Sequence, residues 1–311
     1  MKKEKVNRSP LFYVGDKYKI VNEIKRFFPT NINRFIEPFV GGGSVYLNVK
    51  AKEYFLNDID NYVINIHKFL CSFIGRENDF YKLIFSIIHK YNLSCSYEKD
   101  VIPSELKKQY IKTYYARFNK DNFNRLKADY NQSKKRNIAE LYVLLIYGFN
   151  RMLRFNGNNN YNLPVGNVDF NANVYNAISE YFKLNINKKT NWFCLDFQQF
   201  LNSIEFQKGD FIYLDPPYLI TFSEYNKLWD MQTEKALLQT LDNLNKKNIN
   251  FAISNVTHYK GQENSQFIDW SKQYNSFQIK SNYISYHDNT VKEFNEVLVT
   301  NYAPNDKKKK I

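Results

Sequence analysis

The sequence predicts an α/β chain in which a mostly parallel sheet is interrupted by a long helical insert. Three observations carry this expectation. An apolar strand candidate, Phe35-Ile36-Glu37, leads through Pro38-Phe39-Val40 into three consecutive glycines, Gly41-Gly42-Gly43. A second apolar run, Phe211-Ile212-Tyr213-Leu214, stops at Asp215-Pro216-Pro217-Tyr218. Between them lie segments with helical spacing and no strand alternation. A chain of 311 residues has room for a full α/β domain with its own core and for an insert.

The elements follow in order. Residues 1–9 read as a loose basic lead-in and 11–14 as a short apolar segment. A helix is expected from Gly15-Asp16-Lys17 to Phe28, because Ile20, Ile24, Phe27 and Phe28 fall on one face, with Pro29 at its end. After the strand over 35–40 and the glycines, Ser44 is placed to cap a helix over 45–50. Residues 53–58 form a second short strand ending in Asp58. Helices are then expected over 60–74, 79–91, 104–119 and 137–148. These define an insert over 61–175 between two catalytic parts, 1–60 and 176–311. Beyond it, strands are expected over 191–195, 211–214, 251–254, part of 274–286, and 296–302, with a helix over 233–245. The last two strands suit an antiparallel edge hairpin turning at Asp288-Asn289-Thr290. The lysine-rich stretch 307–310 is too charged to pack and reads as a solvated tail.

Asp215-Pro216-Pro217-Tyr218 is the most specific feature. Proline lacks the N–H that a central ladder needs, so the strand ends in a rigid corner. Open α/β sheets bind ligands at such carboxyl ends. The corner offers a carboxylate, the Pro216 carbonyl and an aromatic ring, which together suit a planar amine. The glycines permit close approach of backbone to a ligand but do not form a GxGxxG fingerprint, and an ordinary strand-to-helix turn also fits them. Asp58 stands at the spacing of a ribose-binding carboxylate, with a helix N-cap as its alternative role.

Composition narrows the classes. Lys and Arg number 44 against 31 Asp and Glu, a net charge of +13 that suits a polyanionic partner. Enrichment in Asn, Lys and Ile also fits an AT-rich coding sequence. Cys71, Cys95 and Cys194 show no CxxC spacing and no histidine clusters accompany them, so a reducing cytoplasm is expected and no metal. No apolar run is long enough to span a membrane, and no leader is expected.

Three ordered segments, Leu11-Phe12-Tyr13-Val14-Gly15-Asp16-Lys17, Glu37-Pro38-Phe39-Val40-Gly41-Gly42-Gly43-Ser44 and Asp215-Pro216-Pro217-Tyr218, resemble the Dam-type (D12 class, alpha group) DNA adenine-N6 methyltransferases. Tyr213-Leu214 before the last motif and Leu219-Ile220-Thr221 after it, with Tyr225-Asn226-Lys227 and Ile253-Ser254-Asn255-Val256, are closest to the phage-type Dam enzymes. The resemblance runs from Leu11 to Tyr302. It implies a Rossmann-like class I methyltransferase sheet, a helical target-recognition insert and S-adenosylmethionine as methyl donor.

The resemblance also implies roles. Tyr13 and Lys17 meet the donor's amino-acid end, with Lys17 offering a cation to its carboxylate. Glu37, Pro38, Phe39, Gly41 and Gly43 pass beneath the donor, Asp58 takes its ribose, and Asp196 and Phe197 its adenine. Asp215, Pro216 and Tyr218 are catalytic, and Asp215 also borders the donor. The stretch from Tyr147 to Gly166 resembles the Dam hairpin that enters the major groove of double-stranded DNA, with Arg151, Met152, Arg154, Asn156 and Pro164 as DNA-binding residues. Arg154 occupies the base-reading position, since bidentate arginine to guanine is the commonest specific contact. Surface or salt-bridged roles are the alternatives for Arg151, Arg154 and Lys17. Two departures stand out: Asn167-Val168-Asp169 replaces the family's basic residues, and Asp16 replaces a Gly or Asn.

The expected reaction is methylation of a flipped adenine in GATC or a related short site. The N6 lone pair is delocalised into the ring, so acceptors on the amine hydrogens are needed as positive charge develops there. No cysteine follows a proline, which excludes a C5-cytosine enzyme. An N4-cytosine enzyme and a catalytically silent DNA-binding regulator remain the alternatives. A cytoplasmic setting, in a bacterial cell or a phage-infected host, and a monomer or weak dimer complete the expectation.

Overall fold

In the computed structural model, residues 5–221, 229–279 and 294–304 are described. The chain opens with a 3-10 turn, Lys17–Lys19, and helix α1 (Val21–Lys25). Strand β1 (Arg34–Glu37), α2 (Ser44–Asn48) and β2 (Glu53–Asn57) follow. Then come α3 (Asn61–Cys71), α4 (Glu77–Lys90), α5 (Ser104–Gln109), α6 (Tyr114–Gln132), α7 (Ile138–Tyr147) and α8 (Ala172–Asn185). The chain continues through β3 (Lys189–Phe193), α9 (Phe197–Asn202), β4 (Asp210–Leu214), α10 (Met231–Lys246) and β5 (Asn250–Tyr259). It closes with β6 (Gln262–Glu263), α11 (Ser265–Ser271), β7 (Asn275–Gln278) and β8 (Phe294–Thr300).

The strands form one sheet in the order β3-β2-β1-β4-β5-β8-β7, with β6 attached to β5. From β3 to β5 every pairing is parallel, while β8 runs antiparallel to both β5 and β7. This is the class I methyltransferase arrangement expected from the motifs. The winding reverses between β1 and β4, so their carboxyl ends lie side by side at a topological switch point. The glycine loop leaves β1 and the Asp215 corner leaves β4, and the fold therefore juxtaposes the two motifs.

Both faces of the sheet are covered, which is why β4 reads as an unbroken apolar run. Phe35, Tyr54, Phe211 and Tyr213 share a core with α1, α2 and the helices between β2 and β3. Ile36, Ile212, Leu214, Phe251 and Ile253 pack on the other face against Phe200 of α9, Leu237 and Leu241 of α10, and Phe267 of α11. At the opposite ends of β1 and β4, Arg34 clamps buried Asp210 with two hydrogen bonds of 2.7 and 2.5 Å.

Several expectations are corrected. The helix expected over 15–28 is cut at Ile20, whose φ of −120° is not helical, although its four apolar residues are buried. Ser44 is the first residue of α2 and does not cap it; Gly43 stands at the cap position with φ +80°. The helix expected over 104–119 is two, α5 and α6, because Tyr110 and Thr113 leave helical geometry, and α6 continues to Gln132. Helix α8 falls where none was expected. Within the lead-in, Ser9 is buried and Asn7 is bonded to Asn48, while Lys5 and Arg8 are exposed. Strands β7 and β8 are antiparallel edge neighbours as expected, while the turn at Asp288-Asn289-Thr290, the motif Tyr225-Asn226-Lys227 and the tail 307–310 lie outside the described residues.

Candidate active site

A cavity of about 370 Å³ opens at the carboxyl ends of β1, β2 and β4. Its wall includes every residue named above for donor and catalysis: Tyr13, Lys17, Glu37, Pro38, Phe39, Gly41, Gly43, Asp58, Asp196, Phe197, Asp215, Pro216 and Tyr218. Distances of tens to two hundred residues in sequence thus collapse into one site.

The glycine loop is shaped by its neighbours. A Cβ on Gly42 would lie 2.8 Å from Tyr13 Cβ, and one on Gly43 would lie 2.5 Å from the Tyr46 ring. These contacts, with the left-handed φ at Gly43, explain why glycine stands at both positions. The loop is also held from outside. Asp58 Oδ2 accepts from Gly41 N at 2.8 Å, and His67 Nε2 lies 2.9 Å from Gly41 O. Asp58 is therefore no helix cap; Asp60 caps α3 by accepting from Tyr62 N at 2.8 Å. Asn57 ties three strand ends together, donating to Pro38 O and Leu195 O and accepting from Leu195 N. Burial pushes the Asp58 carboxyl up to about 6 and holds the His67 imidazole down near 4.

At the β4 corner, Asp215 Oδ2 is 2.7 Å from Lys17 Nζ and Oδ1 accepts from the Tyr218 hydroxyl at 2.9 Å. Lys17 is only 5% exposed, so its ammonium is engaged with a protein carboxylate and does not stand out in solvent. Glu296 of β8, fully buried, joins the group: Tyr218 donates to its Oε1 at 3.2 Å and Lys17 Nζ lies 3.8 Å away. The Lys17 ammonium also faces the Tyr218 ring, 5.1 Å from its centroid.

On the far wall Phe39, Phe197 and Trp229 form an aromatic cluster with ring centroids 5.6 to 5.9 Å apart. The Asp196 side chain caps α9, accepting from Gln198 N at 2.9 Å. Glu296, His67, Asn57 and Trp229 were not anticipated. Glu296 and His67 stand far in sequence from the motifs they support, Asn57 adjoins Asp58 but reads as an ordinary strand residue, and Trp229 is a large aromatic just ahead of a helix.

The five residues expected to bind DNA lie apart from the cavity wall, on the segment between α7 and α8. That segment is a hairpin, with bridges Gly148 to Val165 and Phe155 to Tyr161. Arg154 is turned across it, donating through Nε to Asn162 Oδ1 at 2.9 Å. Arg151 lies over the Phe12 ring at 4.0 Å, and burial lowers its pKa to about 10. Met152 packs against the core, and Pro164 O accepts from Phe149 N at 2.9 Å. Asn156 organises the exposed tip by accepting from the backbone N–H groups of Asn158 and Asn160. Asp169 is buried and accepts from Ser96 N and Oγ, while Asn167 Oδ1 accepts from Tyr115 N. Of the three residues that stand where the family has basic ones, Asp169 is buried and Asn167 is exposed.

Among the described residues no helix is long and apolar enough to cross a membrane, and no cluster of His, Cys, Asp and Glu is placed to hold a metal. Comparison with known proteins agrees with the motifs. The type II methyltransferase M.FokI of Planomicrobium okeanokoites is 34% identical over 308 residues, covering 95% of this chain and 43% of that protein. The modification methylase StsI of Streptococcus sanguinis is 33% identical, covering 96% and 43%. The DNA adenine methylase of Haemophilus influenzae is 28% identical over 81% of each chain. Identity is thus higher to these two type II relatives than to this DNA adenine methylase, and the chain spans less than half the length of the two. With residues 13–284 matching the family model and both cofactor and DPPY motifs lining one cavity, the chain belongs to the D12 class of N6 adenine-specific DNA methyltransferases.

Proposed function

We propose that this protein transfers a methyl group from S-adenosylmethionine to the N6 amine of an adenine flipped out of double-stranded DNA, at GATC or a related short site. The observation that carries the reading is the single cavity shared by the glycine loop and the Asp215 corner. Among the described residues its lining holds six carboxyl groups, Asp16, Glu37, Asp58, Asp60, Asp196 and Asp215, and one lysine. Such a wall favours a ligand with cationic groups, in a chain whose net charge is +13. Glu37 tests the fit: it is 2% exposed, its Oε2 has no hydrogen-bond partner, and the cavity is where a partner can enter.

S-adenosylmethionine supplies a sulfonium-activated methyl group, so neither a metal nor a covalent nucleophile is required of the protein. Gly41 and Gly43 give backbone approach, Asp58 faces the ribose, and Phe39, Phe197 and Trp229 offer an apolar wall for the donor's base. Lys17 holds Asp215 by charge, leaving Asp215 and the Pro216 carbonyl to accept from the target amine as positive charge develops. Tyr218 supplies a ring face for the flipped base. The chain divides in this reading into catalytic parts 1–60 and 176–311 and a recognition insert, 61–175, whose hairpin approaches the major groove. The names of the relatives, modification methylases among them, support a restriction-modification setting.

The test is single-molecule sequencing of unmethylated plasmid DNA after incubation with purified protein and S-adenosylmethionine. N6-methyladenine confined to one short motif is expected. N4-methylcytosine, or no mark despite donor binding, would overturn the reading.

A further inference from the structure

The hairpin between α7 and α8 puts Arg154 and Asn162 directly opposite each other. A bridge pairs Phe155 with Tyr161, and on one side of it Asn162 N donates to Arg154 O at 3.1 Å. On the other side Asn156 N donates to Asn160 O at 2.9 Å. One face of this ladder packs on the rest of the chain: Leu153, Tyr161 and Leu163 are buried, and Phe155 stacks on the Tyr62 ring of α3 at 3.8 Å. Asn131 of α6 fixes the backbone there, donating to Tyr161 O at 3.0 Å and accepting from Tyr161 N at 2.9 Å. Side chains alternate along paired strands, so Arg154 and Asn162 share the other face, beside exposed Pro164.

Arg154 donates through Nε to Asn162 Oδ1 at 2.9 Å and through Nη2 to Asn162 O at 3.3 Å. Nε–H and one Nη2–H form the side edge of the guanidinium, and Asn162 fills that edge. The end edge, Nη1–H with the second Nη2–H, makes no hydrogen bond among the described residues. Two parallel donors at that edge match the O6 and N7 acceptors of a guanine in the major groove. Asn162 is a neutral acceptor and holds the cation with its charge intact, whereas a carboxylate in its place would neutralise it.

We propose that Asn162 is a positioning residue for sequence selection, presenting the end edge of Arg154 to one guanine of the target site. The assignment rests on the reading of this hairpin as the element that enters duplex DNA. Holding the arginine beforehand reduces the freedom it loses on meeting the base and fixes which of its edges does the reading.

The test takes the site that the wild type methylates on unmethylated plasmid and measures kcat/KM on duplexes carrying that site and each of its single-base variants. Arg154→Ala should lose about tenfold of discrimination at one guanine. Asn162→Ala should lose about three- to tenfold at the same guanine and less than about twofold at the other positions. The double variant should discriminate no worse there than Arg154→Ala alone, because Asn162 acts only through the arginine. General loosening of the hairpin, or a contact from Asn162 to phosphate, lowers all duplexes together and cancels in the ratio. Asn162→Thr, short and β-branched, gives the same readout if Asn162→Ala fails to fold. Unchanged discrimination in the Asn162 variants, relaxation at a different position, or additive losses in the double variant would overturn the proposal. Discrimination untouched by Arg154→Ala would overturn the base-reading role of Arg154 and the proposal with it, a result distinguishable from a failure of Asn162 alone.

Discussion

At the residue scale, the site turns on carboxylates held by different partners. Asp215 has a lysine at 2.7 Å, whereas Asp58 has backbone N–H groups and burial. Because the Asp58 carboxyl is raised to about 6 from an ordinary 3.8, the folded state holds its proton more tightly than the unfolded state. Its contribution to stability is full below the unfolded value and is lost as pH rises through about 6. Asp58→Asn should therefore gain in melting temperature relative to wild type between pH 5 and 7.5, while donor affinity falls about tenfold. A melting difference independent of pH would contradict this. Glu296 acts through other residues, braced against Tyr218 and Lys17. Glu296→Gln keeps its shape and removes its charge, and is expected to lower kcat about tenfold with little change in donor KM. Equal loss in both would mean a general loosening of the site. The Asp215 motif and glycine loop were legible in the sequence because each concentrates its chemistry in contiguous residues. Glu296 and His67 were not, since only the sheet order and the packing of α3 bring them to those motifs.

At the scale of elements, the glycine loop and the paired strands β1 and β4 are the parts least open to change. Gly43→Ala would place a methyl group against the Tyr46 ring at a left-handed φ of +80°. A cost of about 2 kcal/mol or more is expected, read by denaturant unfolding, with donor binding impaired alongside. Arg34→Ala would leave Asp210 buried between β1 and β4 without its ion pair, at a cost of about 3 kcal/mol. An effect below about 1 kcal/mol would show that water reaches Asp210. Periodicity located most elements, and its failures have local causes. The helix α8 has Val174, Ala177, Ile178, Tyr181 and Phe182 on one buried face and Asn171 as its cap, so its signal was present in the sequence. The break between α5 and α6 was not legible, because Tyr110 to Thr113 contain neither glycine nor proline.

At the scale of the molecule, a basic chain encloses an acidic cavity. Association with duplex DNA should weaken steeply with salt, the slope of log K against log salt being about −0.9 per phosphate neutralised. A flat salt dependence would argue against a phosphate-tracking surface. The parallel sheet was legible from two apolar runs and their endings, and the switch point between β1 and β4 turns those endings into one site. The hairpin between α7 and α8 was legible as a segment, whereas Arg154 turned inward to Asn162 and Arg151 over Phe12 depend on tertiary packing. The most direct test is a single-turnover assay of methyl transfer to plasmid DNA by Asp215→Asn, with donor affinity measured on the same protein. Loss of transfer by about a thousandfold, with donor affinity within about threefold of wild type, is the predicted result. Transfer at the wild-type rate would contradict the assignment of the reaction to this corner of the sheet.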